Sequence, residues 1–123
     1  MLARFLSPFL PQTHDYPNVR IVPPSDIREW MAADEALVLD VREVREYVSG
    51  HIPGAVNMPL SSFDPARIPA HQGKRLVIHC RSGARCGMAA ARLAGSGYTG
   101  DIARMQGGII GWVQINGPIT AGV

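Results

Sequence analysis

Cys80-Arg81-Ser82-Gly83-Ala84-Arg85-Cys86 is the stretch of this 123-residue chain best equipped for chemistry. It follows Leu76-Val77-Ile78-His79, an apolar run that predicts a buried strand, and precedes Gly87 to Ala94, which predicts a helix. A strand, a glycine-containing loop and a helix in that order build an anion site. The loop amides turn inward and the helix presents its positive end. A cysteine at the base of such a cradle has its thiolate stabilised by the helix dipole and by nearby arginine. Its pKa falls and it becomes a nucleophile near neutral pH. Gly83 permits a positive φ in mid-loop. Ala84 keeps bulk out of the mouth and Ser82 offers a hydroxyl, while Arg81 and Arg85 are placed to attract an anionic substrate. Arg75 is expected to join them in a local concentration of positive charge around Cys80. Cys86 falls at the first turn of the helix, where two roles stay open. It packs as a small residue, or it resolves or protects an oxidised Cys80 as a disulfide.

Other elements must hold this loop in place. Arg20 to Val22 predicts a short strand, and Pro23-Pro24-Ser25 then opens a helix to Ala33, with Ser25 able to cap it. Leu37 to Val41 is a second continuous apolar run, of the kind buried in parallel sheets. Asp40 and Arg42 stand at its end, in line with the Cys80 strand. Asp40 suits two tasks there: accepting hydrogen bonds that shape the active loop, or capping the helix predicted over Glu43 to Val48. His51-Ile52-Pro53-Gly54 is turn chemistry, with His51 structural. Ala55 to Met58 predicts a short strand, and a one-turn helix is expected near Ser61. Asp101 to Met105 predicts the last strand, Gly107-Gly108 a turn, and Ile109 to Ile115 a final helix. Trp30 and Trp112 read as packing aromatics. Alternation turns His79 away from Cys80, so His79 is not assigned as a base. Strands alternating with helices predict an α/β domain with a largely parallel sheet, whose ligands sit beyond the carboxyl ends of the strands.

Composition bounds the rest. At 46% apolar, 18% charged and a net charge of +2, the chain is globular and has no general attraction for nucleic acid. Two cysteines six positions apart do not make a disulfide framework and suit a reducing, cytoplasmic compartment. No run reaches the roughly 18 apolar residues of a membrane span. Residues 1–19 carry Pro8, Pro11 and Pro17 and read as an irregular arm, not a signal peptide, before a domain over 20–123.

Two motifs resemble the rhodanese family of sulfurtransferases in its single-domain form. One is Val38-Leu39-Asp40-Val41-Arg42-Glu43, continued by Glu46-Tyr47 and by Gly50-His51-Ile52-Pro53-Gly54-Ala55-Val56-Asn57. The other is Cys80 to Arg85, and Gly107-Gly108-Ile109 with Trp112 adds a weaker match. The resemblance spans about Arg20 to Pro118. It implies a rhodanese-like, mostly parallel five-stranded sheet flanked by helices on both faces. It also implies thiosulfate sulfurtransferase activity by double displacement. Cys80 takes the outer sulfur of thiosulfate or a similar small anionic donor as a persulfide, held in the amide cradle from Arg81 to Cys86, and passes it to a thiol or cyanide. No metal or organic cofactor is implied. Cys86 departs from the Ser, Thr or Ala usual at its position. The nearest rival is a cysteine-based phosphatase or arsenate reductase, but these use Cys-x5-Arg. Cys80-x4-Arg85 closes a smaller loop, suited to one sulfur atom. A second rival is a persulfide carrier or regulatory binding module that serves a protein acceptor.

Overall fold

The computed structural model describes residues 16–123. Five strands form the sheet: β1 (Val19–Val22), β2 (Ala36–Asp40), β3 (Val56–Asn57), β4 (Arg75–His79) and β5 (Ile102–Met105). Their order is β1-β5-β4-β2-β3, and every neighbouring pair is parallel. The expectation of a mostly parallel sheet thus becomes an all-parallel one. The helices are α1 (Pro24–Ala32), α2 (Val44–Ser49), α3 (Ala84–Gly95) and α4 (Gly108–Gln114), with single 3-10 turns at Leu60–Ser62 and Pro65–Arg67.

Strand alternation sorts the core into two layers. Leu39, Leu76, Ile78 and Ile102 face α3, where they meet Ala89, Ala90 and Leu93. Val38, Val77, Ala103 and Met105 face the other way, toward Ile27 of α1 and Trp112 of α4. The central strands are buried on both faces, which is why they read as continuous apolar runs rather than alternating ones. Trp112 is anchored by its indole N–H, which donates to the Pro118 carbonyl at 2.8 Å. Beyond it, His51 and Thr120 form an antiparallel bridge, so the C-terminal stretch docks on the domain as its apolar content suggests.

The last residues of the expected arm make contacts: Tyr16 packs on the α3 layer, and the Asn18 amide donates to the carbonyls of Tyr98 and Gly100 at 3.1 and 2.8 Å. The rest of the expected arm, residues 1–15, lies outside the described residues. Helix α1 begins one residue early, with Pro23 at the N-cap, Pro24 in the first turn and no side-chain cap, so Ser25 does not cap it. Helix α3 begins at Ala84 rather than Gly87, because Gly83, at φ 127°, turns the chain directly into it. Among the described residues no helix is long and apolar enough to cross a membrane.

Candidate active site

Cys80 follows the last residue of β4, at the carboxyl edge of the sheet. It shares the parity of Leu76 and Ile78, so its side chain enters the α3 layer, and the residue is 1% exposed. The Gly83 N–H donates to its sulfur at 3.1 Å. The Cys86 thiol beside it is the largest influence on its ionisation. Together with the amides of Cys86, Gly83 and Ser82 it outweighs burial and lowers the Cys80 pKa from 9.0 to about 5. Cys86 is fully buried and its thiol donates to the Gly83 carbonyl at 3.0 Å. The neighbouring Cys80 thiolate, aided by burial, pushes the Cys86 pKa far upward. Both cysteines are unpaired. One sulfur is thus an anion, and the single proton of its neighbour lies between the Cys80 sulfur and the Gly83 carbonyl. Cys86 packs and donates, and nothing in this geometry prepares it as a nucleophile.

The depressed pKa makes a testable statement. Ionised Cys80 stabilises the fold fully above the ordinary thiol value of 9.0, and this contribution is lost as the pH falls through about 5. The ultraviolet thiolate absorbance of the protein, less that of Cys80→Ser, is expected to titrate with a midpoint near 5. A midpoint above 7 would contradict the cradle.

Arg85 does not stand free to attract a substrate. Its guanidinium grips Glu46 of α2 with two bonds, of 2.6 and 3.0 Å. This pairing pulls the Glu46 pKa from 4.5 to about 2. Glu46 also completes the capping box of α2 with Glu43, so one acid fixes both helices that border the loop. Arg81, Ser82 and Ala84 are exposed on the rim. Arg75 is at the opposite end of β4, stacked over Trp30 at 4.4 Å, and contributes nothing around Cys80. That corrects the expected cluster of three arginines.

Asp40 and Arg42 also differ from expectation. Asp40 is fully buried, and Arg42 donates to it through its backbone N–H at 2.9 Å and its guanidinium at 2.7 to 3.1 Å. The same guanidinium reaches the Gly50 carbonyl at 2.7 Å. Among the described residues Asp40 accepts no bond from the Cys80 loop, and Glu43 rather than Asp40 caps α2. The pair staples the turn after α2. Strand register sets His79 beside Asp40, its Nε2 3.6 Å from the carboxylate, on the face of the sheet away from Cys80. Burial lowers the His79 pKa and holds the ring neutral. His51 is structural, as expected: it is stacked on Tyr47 at 3.7 Å and bonded to the Tyr47 carbonyl.

Two supports of the loop escaped sequence reasoning. Ile109 and Ile110 donate backbone N–H groups to the carbonyls of Cys80 and Arg81, at 2.9 and 3.3 Å. Gly108 permits that approach, since a Cβ there would lie 2.5 Å from both carbonyl oxygens. The other support is Arg104 on β5, whose guanidinium donates to the Gly83 carbonyl at 3.0 Å. Its signal in the sequence was an arginine two residues after buried Ile102, in the register that faces α3. A cavity of about 340 Å³ opens beside the loop, between Ser82, Gly83, Ala84, Arg104, Gln106 and Gly107. A larger cleft of about 760 Å³, with Asp34, Lys74 and Tyr98 in its wall, lies at the other end of the strands and does not touch Cys80.

Comparison with known proteins places the chain in a family. The model of the rhodanese-like domain matches residues 23–115. An uncharacterized protein of Synechocystis is 36% identical over 101 residues, covering 82% of this chain and 55% of that protein. The chain thus spans about half the length of that relative. A protein named sulfurtransferase from Allochromatium vinosum is 35% identical over 88 residues, covering 72% of this chain and 81% of its own. Among solved structures, a rhodanese-related protein from Thermoplasma volcanium superposes with a TM-score of 0.71 at 27% identity, covering 82% of this chain and 97% of that one. The human single-domain sulfurtransferase TSTD1 gives 0.62 at 29% identity, covering 76% and 95%. The chain belongs to the rhodanese-like family.

Proposed function

We propose that the protein is a sulfurtransferase that carries a sulfane sulfur on Cys80. The observation that carries this is the Cys80 thiolate inside a ring of amides, with the Gly83 N–H 3.1 Å from its sulfur. In the first half-reaction the thiolate attacks the outer sulfur of thiosulfate. A Cys80 S–S bond forms, the donor S–S bond breaks, and sulfite leaves with the bonding pair, so charge balances without a proton. The persulfide's outer sulfur carries the negative charge, and the amides from Arg81 to Cys86 solvate it. In the second half-reaction a thiolate or cyanide attacks that outer sulfur, and Cys80 leaves as the thiolate it was. No general base is required, which suits a His79 that is neutral and turned away.

The loop disfavours phosphate. A phosphatase needs a cation aimed at the equatorial oxygens, and Arg85 is held by Glu46 instead. The donor, the acceptor and a reducing cytoplasmic setting belong to this proposal, and two unpaired cysteines are in keeping with it. Handing the sulfur to a protein thiol, as a carrier would, uses the same persulfide. Turnover of thiosulfate with cyanide and of an aryl phosphate should be measured side by side on one preparation. Sulfur transfer should be the faster by orders of magnitude. Faster ester cleavage would overturn the assignment.

A further inference from the structure

Arg104 belongs to no motif that marks the loop, yet it is bonded to it. Its guanidinium and the Cys86 thiol both donate to one acceptor, the Gly83 carbonyl, each at 3.0 Å. That carbonyl shares a planar trans peptide with the Ala84 N–H, and the two point in opposite directions. A carbonyl held out toward β5 therefore fixes the tilt of the peptide that joins Gly83 to the first residue of α3, between the Gly83 and Cys86 amides that act on the Cys80 sulfur. Gly83 needs such a restraint. At φ 127° it lies in a region open to glycine, and glycine has the most freedom to leave it.

Helix α3 is shaped to receive this arginine. Gly87 stands inside the helix, where glycine costs about 1 kcal/mol relative to alanine. A Cβ at Gly87 would lie 2.8 Å from a terminal nitrogen of Arg104 and 3.0 Å from its guanidinium carbon. The missing methyl is the notch in which the guanidinium rests. The charge also sits close enough to Cys86 to oppose the upward shift of that thiol.

We propose that Arg104, seated in the Gly87 notch, is a positioning residue that holds the Gly83 peptide and thereby fixes the amide cradle around the Cys80 sulfur. It acts through the Gly83 carbonyl. The charged and titratable groups around that sulfur are Cys86 and the Glu46-paired Arg85 from α3, Arg81 on the rim, neutral His79 behind it on β4, and Arg104 from β5. Among the described residues, Arg104 is the cation that reaches the loop from the sheet. Its consequence for turnover rests on Cys80 being the sulfur-carrying residue; the positioning of the cradle does not.

The test titrates the Cys80 thiolate by ultraviolet absorbance in the wild type, Arg104→Met, Arg104→Lys and Gly87→Ala. Gly87→Ala keeps the arginine, favours the helix and displaces only the end of a flexible side chain, so it should fold. Arg104→Met and Gly87→Ala should each raise the midpoint, by about one unit in Arg104→Met, which cuts the thiolate fraction at pH 5 about fivefold. Arg104→Lys should recover part of the shift. With thiosulfate, Arg104→Met should lower kcat and leave KM nearly unchanged. An unmoved midpoint in folded Gly87→Ala and Arg104→Met would overturn the role, whether or not the protein transfers sulfur. A change confined to KM would also overturn it, making Arg104 a donor-binding group instead. If no variant, wild type included, transfers sulfur while the midpoints shift as stated, the sulfurtransferase proposal fails and the positioning role stands.

Discussion

Gly108→Ala is expected to lower sulfur transfer on the order of 100-fold while the sheet stays folded. Two effects add. The residue has φ 58°, which an alanine adopts only with strain, and its Cβ would press within 2.5 Å of the Cys80 and Arg81 carbonyl oxygens. Those oxygens are backbone and cannot swing aside, so the loop itself must shift. A displacement of about 1 Å at the reacting centre is enough for a loss of this size. Stability should fall by about 2–4 kcal/mol. Gly73→Ala is the control. It also has a positive φ, of 82°, but nothing lies within 4 Å of its Cβ and it is far from Cys80. It should cost about 1 kcal/mol and leave turnover per folded molecule unchanged. Equal turnover losses in the two variants would show that the contact with the loop is not what matters.

Asp40→Ala should have the largest effect on stability, about 3–5 kcal/mol. It leaves the guanidinium of Arg42, itself buried, without its bidentate partner. Against a typical total of about 5–15 kcal/mol, that is enough to leave a small domain partly unfolded at growth temperature. The cost lies mainly in the stranded charge rather than in the lost bonds, so Asp40→Ala with Arg42→Met should recover much of it. Urea denaturation reads both variants. A double variant no more stable than Asp40→Ala would show that the bonds themselves, and not the unpaired charge, carry the cost. At low temperature, where Asp40→Ala remains folded, turnover per folded molecule should stay near wild type, because among the described residues the bonds to the Asp40 carboxylate come from Arg42 and not from the Cys80 loop.

What the sequence revealed was whatever depends on neighbours along the chain. The runs at Leu37–Val41 and Leu76–His79 gave β2 and β4 because burial on both faces leaves no polar alternation to confuse them. The Cys80 loop was visible because strand, glycine and helix follow one another directly. Pairing between distant residues was not visible. Arg85 looked like a substrate cation until Glu46, 39 positions away, was found to hold it. Arg75 looked close to Cys80 by number, but five residues of strand carried it to the other end of the sheet. Arg104 carries no mark of its role in the sequence, since the Gly87 notch that seats its guanidinium lies 17 positions away and is brought to it only by the fold. Asp40 at a strand end suits loop bonding or helix capping, but Arg42, two residues on, takes up its carboxylate.

The account turns on whether Cys80 carries sulfur. Intact mass spectrometry after treatment with thiosulfate, on the wild type and Cys80→Ser, tests that most directly. The wild type should gain about 32 Da, one sulfur atom, lose it on addition of cyanide or dithiothreitol, and show no gain in the variant. An unmodified wild type, or an adduct that persists in Cys80→Ser, would contradict the account.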